Sequence, residues 1–293
     1  MFAVVNVHKP TGMTSHDVVQ HLRRAYGLRK VGHLGTLDPM AEGVLPVCVG
    51  KATRLIEYFP SSKAYQARIT LGVTTTTLDA EGVEVSRQAC PHITRELVEA
   101  ALAPFVGTYL QTVPLHSAVH VGGKKLYKYA QSGTTPVALP EKTVTVNQLT
   151  LEEFEPGEFP VITLTVDCES GYYVRALARD LGQALGVGGH LSGLIRTRHG
   201  LFELANSVTL EAVAQNPAAY AQNPLLYLNM PLLPLSDPSR EQDLRQGKKI
   251  EPEGEHPRLR GNQFYFVTCQ NQPVAVTQAV SGQLKPIKVI QLV

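Results

Sequence analysis

The stretch Lys30-Val31-Gly32-His33-Leu34-Gly35-Thr36-Leu37-Asp38-Pro39-Met40-Ala41-Glu42-Gly43 places one carboxylate, Asp38, on a glycine-bounded turn inside the most basic part of the chain. Local chemistry alone explains it as an ordinary turn pair, because Asp caps its own backbone and the following Pro fixes φ. The surroundings add a second explanation. Over residues 19–70 eight bases (Arg23, Arg24, Arg29, Lys30, Lys51, Arg54, Lys63 and Arg68) stand against three acids, Asp38, Glu42 and Glu57. A carboxylate amid that charge suits chemistry on an anion, and a local basic face is what RNA requires for phosphate neutralisation. A solvated helix face accounts for the charge equally well, so distant segments must decide.

Working outward, residues 2–7 are apolar and β-branched and read as a strand ended by Lys9-Pro10-Thr11-Gly12. A helix is expected from Ser15, with Thr14 or Ser15 as N-cap and Val18, Val19, Leu22 and Tyr26 as its buried stripe. Beyond the turn, 44–49 reads as a buried strand, 52–58 as a short helix and 63–71 as an alternating strand. Helices are expected over 94–102, 125–131 and 173–185, and strands over 144–154 and 161–166. Gly186 to Gly189 follow a helix, the reverse of a phosphate loop, so they read as its stop. A short helix to Gln215, a proline-rich linker over 216–238 and strands over 263–268, 274–278 and 287–293 complete the chain. Strands and helices mixed without a βαβ rhythm indicate an α+β fold, with domains at 1–235 and 236–293.

The 293 residues, 43% hydrophobic and 18% charged, suffice for a large core and a smaller second unit. The net charge of +2 hides an uneven distribution, since residues 151–170 carry six acids and no base. Cys48, Cys90, Cys168 and Cys269 are far apart, and His8, His16, His21 and His33 lack ligand-like spacing, so neither a disulfide framework nor a metal site is expected. The first ten residues lack a basic n-region, and no stretch reaches membrane-spanning length; a cytoplasmic location without membrane attachment is expected.

Three distant segments together resemble the TruB family of bacterial pseudouridine synthases: Gly35-Thr36-Leu37-Asp38-Pro39, Lys63 through Gly72, and Cys168-Glu169-Ser170-Gly171-Tyr172-Tyr173-Val174-Arg175. Lys9-Pro10-Thr11-Gly12-Met13-Thr14-Ser15, Gly122-Gly123-Lys124-Lys125-Leu126-Tyr127 and Asp180-Leu181-Gly182 leading to His190 are similar to that family too. The likeness runs from about residue 6 to 200; beyond it, Leu244-Arg245-Gln246-Gly247 is weakly similar to the start of a PUA-like RNA-binding domain. The resemblance implies a mixed, mainly antiparallel pseudouridine synthase core with flanking helices, an RNA-gripping insertion at about 111–135, and a small β-rich PUA-like C-terminal domain.

It also implies an activity: isomerisation of uridine to pseudouridine at position 55 in the T loop of tRNA, by a monomer that requires no protein partner. The glycosidic C1′–N1 bond breaks, the uracil turns and its C5 joins C1′, so no electron is gained and no redox cofactor is needed. By resemblance Asp38 serves as nucleophile at C1′ or as base. Arg175 is the cation that keeps Asp38 ionised, a pair whose disruption costs roughly 3–5 kcal/mol when buried. Tyr65 stacks on the base and suits removal of the C5 proton; Tyr173 and Leu194 line the pocket; His33 holds the loop opened when the nucleotide is extracted. Lys124, Lys125 and Arg196 are phosphate contacts. Each has a plainer alternative: a half-buried strand position for Tyr65, core packing for Tyr173 and Leu194, structure for His33, solvation for the three cations, a surface helix charge for Arg175.

Some positions depart from the family pattern. His116 and His120 stand where a Tyr and a Lys are usual, Val113 replaces a Pro, Thr76 an acid, and Glu42 a small hydroxyl residue. The histidines suggest a pH-dependent RNA grip. Two rivals share the residues: an RNA-binding or tRNA-folding module with a vestigial site, and a hydrolytic nucleosidase using the same carboxylate.

Overall fold

The computed structural model describes residues 1–134, 138–253, 259 and 261–291. β1 (Phe2–Lys9) is followed by α1 (Ser15–Tyr26), which begins at a capping box. The Thr14 hydroxyl accepts from the Asp17 amide at 3.1 Å, and the Asp17 carboxylate accepts from the Thr14 amide at 2.9 Å, satisfying backbone donors that the helix leaves open. β2 (Val31–His33) and β3 (Glu42–Gly50) pair antiparallel on either side of the Asp38 turn. The helix expected over 52–58 is a 3₁₀ helix, Lys51–Tyr58, and β4 (Lys63–Leu71) follows. β5 (Val73–Thr75) and β6 (Glu84–Arg87) form a small hairpin, after which come α2 (Arg95–Leu102) and β7 (Gly107–Thr112).

Between β7 and its neighbour β10 (Glu141–Glu155) the chain makes an excursion carrying β8 (His120–Val121), β9 (Lys124–Lys125) and α3 (Leu126–Gln131). Its neck is closed by the Val113 amide donating to Pro140 O at 2.9 Å. Of the expected insertion, residues 113–134 lie in this arm, 111 and 112 still belong to β7, and 135 lies outside the described residues. β11 (Val161–Cys168), α4 (Val174–Ala184), β12 (Gly189–His199), β13 (Phe202–Glu203) and α5 (Leu210–Gln215) complete the main unit.

The main sheet runs β1-β3-β12-β4-β11-β10-β7, with β2 on β3 and β13 on β12. Its pairs are antiparallel except β12 with β3. Sequence patterning gave no strand at β12, which nevertheless occupies the middle of the sheet. There β3 and β12 approach so closely that a Cβ on Gly43 (φ 106°) would lie 2.3 Å from Arg196 O, which only glycine avoids. The core between sheet and helices joins Val18 and Leu22 of α1, Leu177 and Leu181 of α4, and Val47, Ile69 and Leu164 of the sheet. Each such side chain contributes about 1.5–3 kcal/mol by leaving water.

The tail forms a second sheet, β14 (Leu232–Leu235), α6 (Pro238–Arg245), β15 (Phe264–Cys269), β16 (Gln272–Val280) and β17 (Gln283–Val289), ordered β14-β15-β16-β17. β14 falls inside the expected linker, and the strand expected over 287–293 ends its regular part at Val289; residues 292 and 293 lie outside the described residues. Phe266, Val276 and Ile290 pack with Val4, Val44 and Leu55 in a shared apolar cluster, so the two sheets are joined by core rather than by a tether alone. Among the described residues no helix is long and apolar enough to cross a membrane.

Candidate active site

The Asp38 turn is gripped by side chains from three other elements. Ser15, buried at the start of α1, donates to Leu37 O at 3.0 Å and accepts from the Leu37 amide at 2.8 Å. Lys9, with no solvent exposure at the end of β1, donates to Pro10 O, Met13 O and Pro39 O at 2.8, 2.7 and 3.3 Å. Burial pushes its ammonium down to about 8, and the charge of Asp38 draws it partly back. The third support is Arg196 on β12, donating to Thr36 O at 3.2 Å and Gly35 O at 2.9 Å.

Arg175 reaches the turn from the first turn of α4. That helix has no side-chain cap of its own. Gln111 of β7, almost fully buried, clamps the cap residue instead, accepting from the Tyr173 amide at 3.0 Å and donating to Tyr173 O at 3.1 Å. With 8% of its side chain exposed, Arg175 places Nε 2.9 Å from Asp38 Oδ2 and Nη1 3.4 Å from Asp79 Oδ2. Nη1 also donates to Thr77 O and Nη2 to His116 O, each at 3.0 Å. Asp79 is fixed in turn by the Thr77 hydroxyl and the Glu81 amide. A guanidinium this buried is costly unless partnered, and two carboxylates with two carbonyls face four of its five N–H donors.

Asp38 and Arg175 open on a cleft of about 490 Å³ whose walls include Lys63, Tyr65, Tyr127, Tyr173 and Leu194. The structure therefore brings together five of the site residues expected from sequence: Asp38, Tyr65, Arg175, Tyr173 and Leu194. Burial drives the Tyr65 phenol up to about 12, opposed by the positive charge of nearby Arg196. Burial also raises the Tyr173 phenol and takes the Lys63 ammonium down to about 8. Beneath the turn lies His199, 1% exposed, where a Cβ on Gly35 would come 2.8 Å from its ring. Burial, reinforced by Arg196 and Lys63, pushes that imidazole down to about 2 and keeps it neutral.

The remaining expected residues lie apart. His33 is half-buried at the end of β2 and does not line the cleft; burial, then Arg196 and His16, hold its imidazole below the usual range. Lys124 and Lys125 sit on the arm, their ammonium groups 4.7 and 5.9 Å from the ring centroids of Tyr129 and Tyr127. Arg196 is a correction. Expected as a phosphate contact, it has no solvent exposure and its guanidinium is spent on main-chain carbonyls, so no phosphate can reach it. Asp79, Lys9, Ser15 and Gln111 were not singled out from sequence; only the threonines before Asp79 and the Lys-Pro-Thr-Gly opening gave a signal.

The arrangement is a carboxylate, 36% exposed, paired through one oxygen with a buried guanidinium. Such a group can attack an electron-poor carbon or accept a proton, with aromatic and apolar walls to bind a planar base. Among the described residues no cluster of His, Cys, Asp and Glu is placed to hold a metal.

A family model described as TruB family pseudouridylate synthase, N-terminal domain, matches residues 23–174, and one described as tRNA pseudouridylate synthase B C-terminal domain matches 175–237. The tRNA pseudouridine synthase B of Symbiobacterium thermophilum is 52% identical over 216 residues, 73% of this chain and 72% of that protein. That of Microcystis aeruginosa is 46% identical over 216 residues, 74% and 73% of the two chains. The fold is similar to solved chains of a Cbf5-Nop10-Gar1 complex (TM-score 0.74, 24% identity, covering 99% of this chain and 85% of that one) and of an H/ACA RNP bound to a substrate RNA (TM-score 0.72, 22% identity, 99% and 86%).

Proposed function

Because the chain belongs to the TruB family of pseudouridylate synthases and is an isomerase that forms pseudouridine in tRNA, we propose that it acts at position 55 of the T loop with Asp38 at the reacting sugar. The ion pair of Asp38 with Arg175, 2.9 Å apart in the lining of the cleft, carries this reading. The target uridine leaves its stack, at a cost of a few kcal/mol, to enter the cleft. As C1′–N1 breaks, a carboxylate oxygen of Asp38 bonds to C1′, or Asp38 removes a ribose proton to give a glycal. The freed uracil turns between Tyr65 and Leu194, and C5 bonds to C1′ as Asp38 leaves the ester or, from the glycal, returns its proton to C2′; the C5 proton leaves by way of Tyr65, and N1 takes up a proton.

His33 holds the opened loop, Tyr173 lines the base pocket, and Lys124 and Lys125 meet phosphates from the arm. Residues 1–235 serve as the catalytic unit and 236–293 as a PUA-like RNA-binding tail. The protein works in the cytoplasm as a monomer without a protein partner. Tritium released from 5-tritiated uridine in T-loop RNA, together with a pseudouridine-specific chemical label, tests the reading. Wild type should release the label and form product. A wild type that releases none, free uracil among the products, or an Asp38→Asn variant with full turnover defeats it.

A further inference from the structure

Arg196 heads the fully buried side chains by size, and among the described residues no carboxylate pairs with it. Its Nε donates to Val44 O of β3 at 2.7 Å, while Nη1 and Nη2 reach Thr36 O and Gly35 O, two and three residues ahead of Asp38. It also stands directly opposite Tyr65 across the pairing of β12 with β4. On its other side β12 runs parallel to β3 with Arg196 beside Gly43. One residue thus binds the turn that carries Asp38 and lies in register with the strand residue that carries the phenol.

An uncompensated buried cation is expensive, and an apolar side chain would fill the space at lower cost. What the cation supplies is geometry. Its planar fork offers nitrogens at fixed angles to acceptors from separate segments, which the point charge of a lysine cannot reproduce. Arg175 restrains Asp38 from the cleft side through its carboxylate, whereas Arg196 restrains it from beneath through the backbone.

We propose that Arg196 is a positioning residue that holds the Asp38 turn and the Tyr65 hydroxyl as one rigid unit. It thereby fixes the separation between the group acting at C1′ and the group acting at C5 of the same uridine. This assignment rests on the roles proposed above for Asp38 and Tyr65. The reaction demands such a unit because the uracil changes orientation between the two events, and a misplacement near 1 Å costs on the order of 100-fold in rate.

Arg196→Lys, Arg196→Gln, Tyr65→Phe and the Tyr65→Phe/Arg196→Gln pair are assayed for single-turnover product formation on T-loop RNA bearing protium or deuterium at C5, and for RNA affinity. The Arg196 variants should lose about 100-fold in rate with RNA affinity unchanged within about threefold. Their C5 isotope effect should rise above the wild-type value, and the second substitution should cost less in the Tyr65→Phe background than alone. Wild-type rates, or a lower rate with an unchanged isotope effect and additive costs, overturn the assignment. If the variants fail to fold, amide exchange in the wild type decides: the Leu37 amide should open together with β4, and opening more than about 100-fold more readily overturns it. Full turnover by Asp38→Asn would instead strike the reading of function, whereas an inactive Asp38→Asn beside a fully active Arg196→Gln strikes this assignment alone.

Discussion

On the floor of the cleft Arg175 has 8% of its side chain exposed and meets two carboxylates and two carbonyls, whereas on the arm Lys124 and Lys125 meet aromatic faces and, for Lys124, one hydroxyl at 3.3 Å. A buried charge must be fully partnered, and full partnering fixes its position. A half-exposed charge keeps its freedom and can follow a phosphate. Floor and arm touch directly where Arg175 donates to His116 O. Rate is therefore assigned to the floor and affinity to the arm, a division that mutation can break.

The sharpest test is Asp38→Asn, expected to lower turnover by at least about 10⁴-fold while RNA affinity stays within about threefold, measured by tritium release and filter binding. Arg175→Lys keeps the charge but loses the fork, and should cost about 10²–10³ in turnover, again with affinity preserved. Loss of affinity in either variant would erase the division between floor and arm.

His199 probes the floor as a packed unit. Its folded value of about 2 lies below the unfolded 6.5, so the unfolded chain binds the extra proton and stability present above pH 6.5 is lost as pH falls toward 2. Between pH 7.5 and 5 the wild type should lose about 2 kcal/mol more than His199→Phe in urea melts. Equal losses would mean that this imidazole is hydrated. The smallest effect belongs to the arm: Lys124→Ala with Lys125→Ala should weaken RNA binding about tenfold at 0.1 M salt and flatten its salt dependence by about 1–2 units of slope, with single-turnover rate at saturation unchanged.

Much of this architecture is legible in the residues themselves. The capping box at Thr14 announces α1, strict alternation announces β4, and the Asp38 turn, Tyr65 and Arg175 are recognisable by their settings. β12 is not, because buried Arg196 and His199 and the glycines at 189 and 193 break any apolar rhythm, and its register slips at Leu191/Gly193 and Arg196/Arg198. Gln111 misleads in the same way, as a buried polar residue whose partners lie 62 positions away. Asp79 sits between a threonine run and Glu81 with no local mark of a role; its bridge to Leu191 and the course of α4 bring it to Arg175. A cation such as Arg196 looks solvated until the tertiary fold closes around it.

The seam between β3 and β12 joins partners 152 positions apart, as in the bond from Arg196 to Val44. On a ribosome adding about 5–20 residues per second, Asp38 is made roughly 8–30 s before Arg196. For most of that interval the nascent chain carries its reactive turn without either arginine that holds it. Until β12 is made, the sheet lacks the strand that lies between β3 and β4, and the Asp38 turn lacks the Arg196 bonds to its backbone.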